Sequence, residues 1–345
     1  MGNPDPQHDG LNRTGCFLVV TTFDNKSEEV CDCAYRQLLR PYAARLAVAA
    51  VLAFLLAGCG SSVSPASRML ASLPRVRYEP AGPYVGPDAT NIDPPKIKLG
   101  PAGVPIVQYP GIGYQQNPVT VAQYGLRAYS RFLHNRAPAD RDIAFRAADW
   151  LVSHQQPDGR WLYRFNFKFP GGYMVAPWAS ALAQGQAMSL LERVYRLTDQ
   201  RRYRNAAVKA LAPLERPVSS GGLQRCFRGD CRLPFLEEYP TTSHPSYVLN
   251  GFMFTLLGVY DLASVAPLSG ARGLYVAGRH TLTAALPSYG RGGVATYDLA
   301  SKLIASQGYQ AIHVYLLRAL NSLQPEAEYR YYANRWQADL SHAPG

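Results

Sequence analysis

Two adjacent carboxylates, Glu237 and Glu238, stand beside Tyr239 in the run Glu-Glu-Tyr-Pro-Thr-Thr. They lie just ahead of an apolar helix that opens Val248-Leu249-Asn250-Gly251-Phe252-Met253. Crowded carboxylates raise one another's pKa, which is how a protein makes a base that functions near neutral pH. Taken alone, the same residues also fit a solvated acidic turn with Tyr239 packed on the core. No histidine pair or carboxylate cluster has the spacing of a zinc site, so the chemistry expected is acid–base and no metal is called for.

The elements that must position these groups read as helices. From Pro118 onward apolar residues recur at helical spacing, at Val121, Tyr124, Leu126, Tyr129 and Phe132, then at Ile143, Phe145, Ala147, Trp150 and Leu151. Pro157-Asp158-Gly159 stops the second helix with turn chemistry. Further helices are expected over residues 179–198, 203–214, 247–264, 270–286, 297–323 and 326–340, with a short β-hairpin over 161–174. Helix after helix, joined by loops rich in Gly, Pro and aromatics, implies an all-α fold. The architecture expected is an (α/α) toroid or incomplete barrel of helical hairpins.

The front of the chain has a different texture. Arg36, Arg40 and Arg45 precede an apolar stretch from Leu46 to Ala57 that ends Leu-Ala-Gly-Cys at Cys59. A positive flank, a short apolar core and small residues at the cut are the parts of a secretory signal. The core is shorter than the ~20 apolar residues a membrane-spanning helix needs. Leu-Ala-Gly-Cys resembles the bacterial lipobox, in which the cysteine is lipidated. Residues 36–59 are therefore expected to be a lipoprotein signal peptide, with Cys59 the anchor to the extracytoplasmic face of a bacterial membrane. Residues 1–35, acidic at Asp24, Glu28, Glu29 and Asp32, do not fit a signal and are expected to be a gene-model artefact or disordered. Residues 60–117 are proline-rich and predict an extended tether, since each proline removes an amide donor. The catalytic domain is expected over 118–340.

Of six cysteines in 345 residues, only Cys226 and Cys231 fall in the helical part. Gly229-Asp230 between them invites a turn, so either a small disulfide loop or two free thiols would fit. The formal charge of +11 points to a polyanionic partner. Nucleic acid is set aside, because zinc-finger spacing, RRM-type aromatics and a dense basic stripe are all missing from the sequence. An acidic polysaccharide and an anionic membrane remain. Tyrosines outnumber phenylalanines 23 to 12, which suits stacking on sugars while hydrogen-bonding their hydroxyls.

Four segments in register resemble the C-terminal domain of heparan-sulfate-type D-glucuronyl C5-epimerases. Glu237-Glu238-Tyr239-Pro240-Thr241-Thr242 with Val248–Met253 is one. Trp178-Ala179-Ser180-Ala181-Leu182-Ala183-Gln184-Gly185-Gln186-Ala187 is similar to the family's W-x-S-A-M-A-Q-G-Q-A. Leu257-Gly258-Val259-Tyr260-Asp261-Leu262 is similar to its L-I-G-L-Y-D-L. Thr296-Tyr297-Asp298-Leu299, then Tyr309 and His313, resemble its T-I-Y-D-L and Y-H-T-T-H segments. The resemblance runs from about Gln155 to Trp336.

What the resemblance implies is epimerisation at C5 of D-glucuronate to L-iduronate within an acidic, uronate-containing polysaccharide. That C–H is a poor acid because the adjacent carboxylate is already negative. The site must neutralise the carboxylate and place an acid/base group on each face of the ring. By resemblance Glu238 and Tyr309 are the two-face pair, and Tyr239 and Tyr297 orient or neutralise the carboxylate. Glu237, Gln184, Asn250, His313 and Lys302 are candidate substrate-binding residues. Asn250 would either hydrogen-bond the sugar or cap its helix. His313 falls four after Tyr309, on the same helical side. No cofactor is implied, and a monomer or homodimer is expected.

The sequence departs from the pattern in places. Ala300, Ser301 and Lys302 stand where the family carries an arginine soon after Tyr-Asp-Leu; Lys302 would supply a point charge without the guanidinium fork. The β-rich domain of the animal enzymes has no counterpart in the proline-rich front. Two other functions fit the same residues. A uronate lyase would begin with the same proton abstraction, and a silent polysaccharide-binding lipoprotein would keep the cleft without the chemistry.

Overall fold

Asn117 marks the change from proline-rich chain to helix. Its Oδ1 accepts the amides of Val119 (2.9 Å) and Thr120 (3.3 Å), and Pro118 takes the first helical position, where no amide donor is needed. Helix α1, Pro118–Asn135, ends on left-handed Arg136, and Pro138 starts its return partner α2, Pro138–His154. The computed structural model describes residues 76–84, 97–265 and 268–342. The signal-like stretch, Cys59 and residues 1–35 lie outside the described residues.

The out-and-back unit recurs. Helix α3 (Ala181–Thr198) pairs with α4 (Arg201–Lys209), α5 (Leu249–Val265) with α6 (Ser269–Tyr289), and α7 (Gln307–Leu323) with α8 (Ala327–His342). The first members also pack on one another in the order α1–α3–α5–α7, while α2 meets α4 and α6 meets α8 outside them. This is a two-layered all-α array, an incomplete (α/α) barrel. The inner helices show their position in their composition. Helix α3 is buried continuously from Ala181 to Val194 and α5 is buried on nearly every face, as a helix in the middle of a core must be. Where they cross, Gly185 and Gly258 bring backbone onto backbone; a Cβ on Gly258 would overlap the Gly185 carbonyl.

Because each inner helix is followed by an antiparallel outer one, all four inner helices run the same way. Each inner helix is also preceded by a two-stranded antiparallel hairpin. These are β1–β2 (Ile106–Tyr109, Gly113–Gln116), β3–β4 (Phe167–Phe169, Gly172–Met174), β5–β6 (Gln224–Phe227, Asp230–Leu236) and β7–β8 (Gly290–Arg291, Val294–Ala295). Hairpins and inner-helix N-termini therefore gather at one end of the array.

The other end is covered by residues 76–84. Tyr78 donates its amide to Ser322 Oγ near the end of α7 and its hydroxyl to Asp261 in α5 (2.6 Å). Arg193 of α3 closes a fully buried ion pair with Asp261 (2.7 Å) and donates to the carbonyls of Glu79 and Gly82. The Tyr84 amide reaches Ser130 of α1. One short segment thus ties the C-terminal halves of all four inner helices together. No helix among the described residues is long and apolar enough to cross a membrane.

Several elements differ from the sequence reading: the β1–β2 hairpin forms within the stretch read as an extended tether, and β7–β8 also lies outside the one hairpin expected. Residues 297–306, expected within a helix, form a loop, and α7 begins at Gln307. The Asp298 carboxylate accepts the Ser301 amide and hydroxyl (both 2.5 Å), so a local turn outcompetes the helix. The β5–β6 hairpin was not expected beyond its Gly-Asp turn, because β6 carries Pro234 and lacks clean alternation.

Candidate active site

The hairpin end of the barrel holds an aromatic wall. Tyr163 stacks on Trp178 (4.0 Å between ring centroids, 8° between planes), and Phe167 lies beyond the indole at 6.1 Å. Tyr239 stacks on Phe169 (4.3 Å) and also meets Phe167 and Trp178. Trp178 is in turn fixed by donation of its Nε1–H to the Phe165 carbonyl. The segment 237–239 leaves β6 between this wall and the start of α5. Backbone bonds hold it, from the Glu237 amide to the Leu223 carbonyl and from the Ala181 amide to the Glu237 carbonyl.

Along this extended segment the two glutamates do different work. Glu237 is fully buried and accepts from Ser246 Oγ (2.5 Å) and the Tyr247 amide (3.0 Å), with Arg225 Nε 3.3 Å from its other oxygen. It braces the 240–247 loop and is not presented to a ligand. Burial pushes its carboxyl up to about 7, against the pull of those partners. Glu238 packs against Gly251 in the first turn of α5. Tyr239 donates to its carboxyl, but Oε2 has no partner. Burial raises this carboxyl to about 8; the charges of Asp298 and Glu237 add to the rise and the Tyr239 bond opposes it. The sequence reading credited carboxylate crowding, whereas removal from water is the larger cause.

Tyr297 and Tyr309 complete the cluster. Tyr297 is buried at the start of the Asp298 loop, held by its amide to the Leu303 carbonyl (2.7 Å) and its carbonyl to the Leu249 amide (3.1 Å). Tyr309 stands in the first turn of α7, whose N-cap Ser306 accepts the Tyr309 amide. The two rings meet edge to face at 4.8 Å, and side-chain hydrogen bonds link Tyr239 to Tyr297 and Tyr297 to Tyr309. All three phenols are raised above their ordinary value, burial first and the Glu238 charge second. Tyr309 alone of the four is only partly buried; the others are buried. A carboxyl and three phenols therefore lie in one contiguous cluster whose most accessible member is Tyr309, beside the N-termini of α5 and α7, which favour negative charge.

The remaining candidates separate. Asn250 is fully buried beside Gly251, and neither its Oδ1 nor its Nδ2 has a partner, so it does not cap α5. With Glu238 Oε2 it makes a patch of unmet hydrogen-bonding capacity, the kind that functional sites retain. Gln184 is placed elsewhere. Its Oε1 accepts the Trp161 amide and its Nε2 donates to the carbonyls of Gly159 and Ala210, so it buckles the Pro-Asp-Gly turn to the end of α4. His313 packs on Trp336 of α8 at 5.9 Å. Burial lowers its imidazole to about 3. Lys302 is exposed on the Asp298 loop. Cys226 and Cys231 form a disulfide across the β5–β6 turn. No group of three or more metal-ligating side chains is assembled among the described residues.

Three residues of the site escaped the sequence reading. Asp298 shapes the loop that carries Tyr297, and Asp-x-x-Ser is a turn signal that could have shown it. Gly251 makes room for Glu238, and Tyr163 lies close enough to feel its charge. Nothing in the sequence around Tyr163 marks it.

Residues 155–338 match the family model described as "D-glucuronyl C5-epimerase C-terminus". The chain is 34% identical over 212 residues to D-glucuronyl C5-epimerase of Caenorhabditis elegans, covering 56% of this chain and 34% of that enzyme. It thus spans about a third of the relative's length. It is 26% identical over 244 residues to an uncharacterized protein of Methanocaldococcus jannaschii, covering 66% of this chain and 78% of the other. Among solved structures, a family 76 glycoside hydrolase from a bovine Bacteroides thetaiotaomicron strain is similar at a TM-score of 0.43 and 14% identity, over 61% of this chain and 44% of that one. A UGL variant with dGlcA-Glc-Rha-Glc gives 0.42 and 17%, over 64% and 61%.

Proposed function

The chain belongs to the D-glucuronyl C5-epimerase C-terminus family, and from that premise we propose that it epimerises uronate residues within an acidic polysaccharide. The observation that carries the proposal is the coupled cluster: one buried carboxyl raised to about 8, with an unpartnered oxygen, joined through two phenols to a third that solvent can reach.

The chemistry follows from the protonation states. Glu238 ionises near neutrality and takes the C5 proton from one face of the ring. The electron pair left at C5 delocalises into the uronate carboxylate, whose extra charge Tyr239, Tyr297 and the α5 and α7 N-termini offset. Tyr309, held as neutral phenol, returns a proton to the opposite face. Glu238 is then protonated and Tyr309 is phenolate, and the phenol–carboxyl chain offers a path to exchange the two. Asn250 and Lys302 belong to the substrate side of this proposal. Export and a lipid anchor at Cys59 extend it; they place the enzyme where polysaccharide is accessible.

The test is incubation of the full chain with heparosan-type polymer in heavy water, followed by proton NMR at C5. Deuterium at C5 with iduronate signals, and no ultraviolet-absorbing double bond, is the expected result. An unsaturated product would make the protein a lyase. Absence of exchange despite measurable binding would make it a silent binding protein.

A further inference from the structure

Beside the Tyr297 loop lies a groove that the proton chemistry does not use. One part, about 320 Å³, is lined by Arg228, Arg291, Lys302, Thr296 and Leu299 among others. The adjoining part, about 400 Å³, shares Arg228 and Leu299 and adds His244 and Ala300. The three cations arrive from three separate elements: the β5–β6 turn, the end of β7, and the loop between Tyr297 and α7. No carboxylate lines either part, and none of the three cations is in an ion pair among the described residues.

Two of the three are held in place at a conformational cost. Arg228 (φ 51°) and Lys302 (φ 56°) are left-handed, a region side chains other than glycine rarely take. The disulfide closes the Arg228 turn, Tyr247 accepts the Arg228 amide and donates to the Cys226 carbonyl, and Arg228 Nη2 donates to Ser288 Oγ at 2.9 Å. The Asp298–Ser301 bonds fix the turn that presents Lys302. Strain spent on gathering like charges around one concavity suits an anion that arrives with the ligand.

We propose that this groove is a second, anion-binding subsite, which takes a carboxylate or N-sulfate group of a sugar flanking the reacting uronate. It rests on the reading that the substrate is an acidic polysaccharide. Leu299 and Thr296, which line the groove, bracket Tyr297–Asp298 in sequence, so the groove lies beside the segment that carries Tyr297.

The test compares wild type with Arg228→Ala/Arg291→Ala, binding heparosan and N-sulfated heparosan over a range of salt. The double variant is expected to bind about tenfold more weakly at low salt, with a slope of log affinity against log salt shallower by about one to two. In turnover, kcat/KM falls by a similar factor, carried by KM. Arg228→Lys/Arg291→Lys keeps the slope and confirms that charge, not folding, is being read. Equal losses on both polymers assign a carboxylate; a loss confined to the N-sulfated polymer assigns a sulfate. Wild-type affinity and slope in a folded alanine variant would overturn the subsite. Arginine-dependent binding without C5 exchange in the wild type would instead overturn the epimerase reading and leave the subsite standing. No binding of either polymer by wild type would overturn both.

Discussion

The Glu238 carboxyl lies against Gly251 so closely that a Cβ on that glycine would overlap Oε2 and crowd the Glu238 Cβ and Cδ. The encroached atoms include Cβ, which cannot rotate away, so the glutamate has to shift as a unit. Gly251→Ala is therefore expected to displace the proposed base while leaving α5 intact. A displacement of about 1 Å at a reacting group costs about a hundredfold in rate. Stability should fall by about 1–3 kcal/mol, the usual cost of overpacking. C5 deuterium exchange and a melting curve measure the two effects. Since both act through one carboxylate, adding Gly251→Ala to Glu238→Gln should cost little more activity than Glu238→Gln alone. Additive losses would separate the glycine from the glutamate.

Tyr309 is the member of the cluster that solvent reaches, and Tyr297 stands between it and Tyr239. Tyr309→Phe removes only the hydroxyl and keeps the edge-to-face contact. Removing a general acid typically costs about 10²–10⁴ in rate, so turnover should be abolished in practice while polymer affinity holds within about twofold. Near wild-type exchange in this variant would take Tyr309 out of the mechanism.

Much of the architecture was legible because burial writes itself into period. The α5 segment is apolar at nearly every position, as suits an inner helix, whereas α3 is just as buried but carries Gln184, Gln186, Glu192 and Arg193 inside. The carboxyl–phenol cluster was legible through motif resemblance, since Glu238-Tyr239, Tyr297 and Tyr309 lie far apart in sequence and no local pattern joins them. The supporting residues were harder. Gln184 and Glu237 looked like ligands to sugar, yet Gln184 is held by main-chain atoms of remote turns and Glu237 by Ser246, the Tyr247 amide and Arg225. Helical spacing placed His313 beside Tyr309, but one turn further along α7 its ring meets α8 instead. The Tyr297–Ser306 loop read as helix because its apolar residues kept a helical rhythm that Asp298 overrides.

Gln184 offers a direct check of that distinction. Its side chain meets three main-chain groups inside the protein, at 3.1, 2.9 and 3.1 Å. Gln184→Ala strands a buried amide and two carbonyls, which costs about 2–4 kcal/mol. For a domain of this size that lowers Tm by roughly 5–10 °C. Turnover of the folded variant, assayed well below its Tm, should match wild type. A large fall in kcat at full foldedness would return Gln184 to the site.

The rate should depend on pH through Glu238. The proposed base must be ionised, and burial lifts its carboxyl to about 8, so C5 exchange should rise with pH through that region and level off above it. Below the limb the rate should fall tenfold per unit, as for one essential base. Asp298→Asn removes a neighbouring negative charge that helps hold the carboxyl up, and should move the limb to lower pH. An unmoved limb would exclude Asp298 as a contributor, and a rate independent of pH from 6 to 9 would exclude Glu238 as the base.

Stability should depend on pH in the opposite sense, and Glu192 isolates the effect. It lies in α3, fully buried, with neither carboxylate oxygen partnered. Burial, with help from Asp261, raises it to about 8, while Glu237 and Glu238 are raised to about 7 and about 8. A carboxyl whose folded pKa exceeds its unfolded value favours the fold when protonated. That stability is fully present below about 4.5 and is lost as pH climbs through 7 to 8. Wild type should therefore melt at higher temperature at pH 5 than at pH 8.5. Glu192→Gln keeps shape and neutrality at every pH, so it should be near-neutral at pH 5 and clearly stabilising at pH 8.5, where the wild-type carboxyl must ionise inside the fold. Melting curves of both proteins at the two pH values decide the matter. Equal Tm differences at both would mean that Glu192 reaches water or a partner when it ionises.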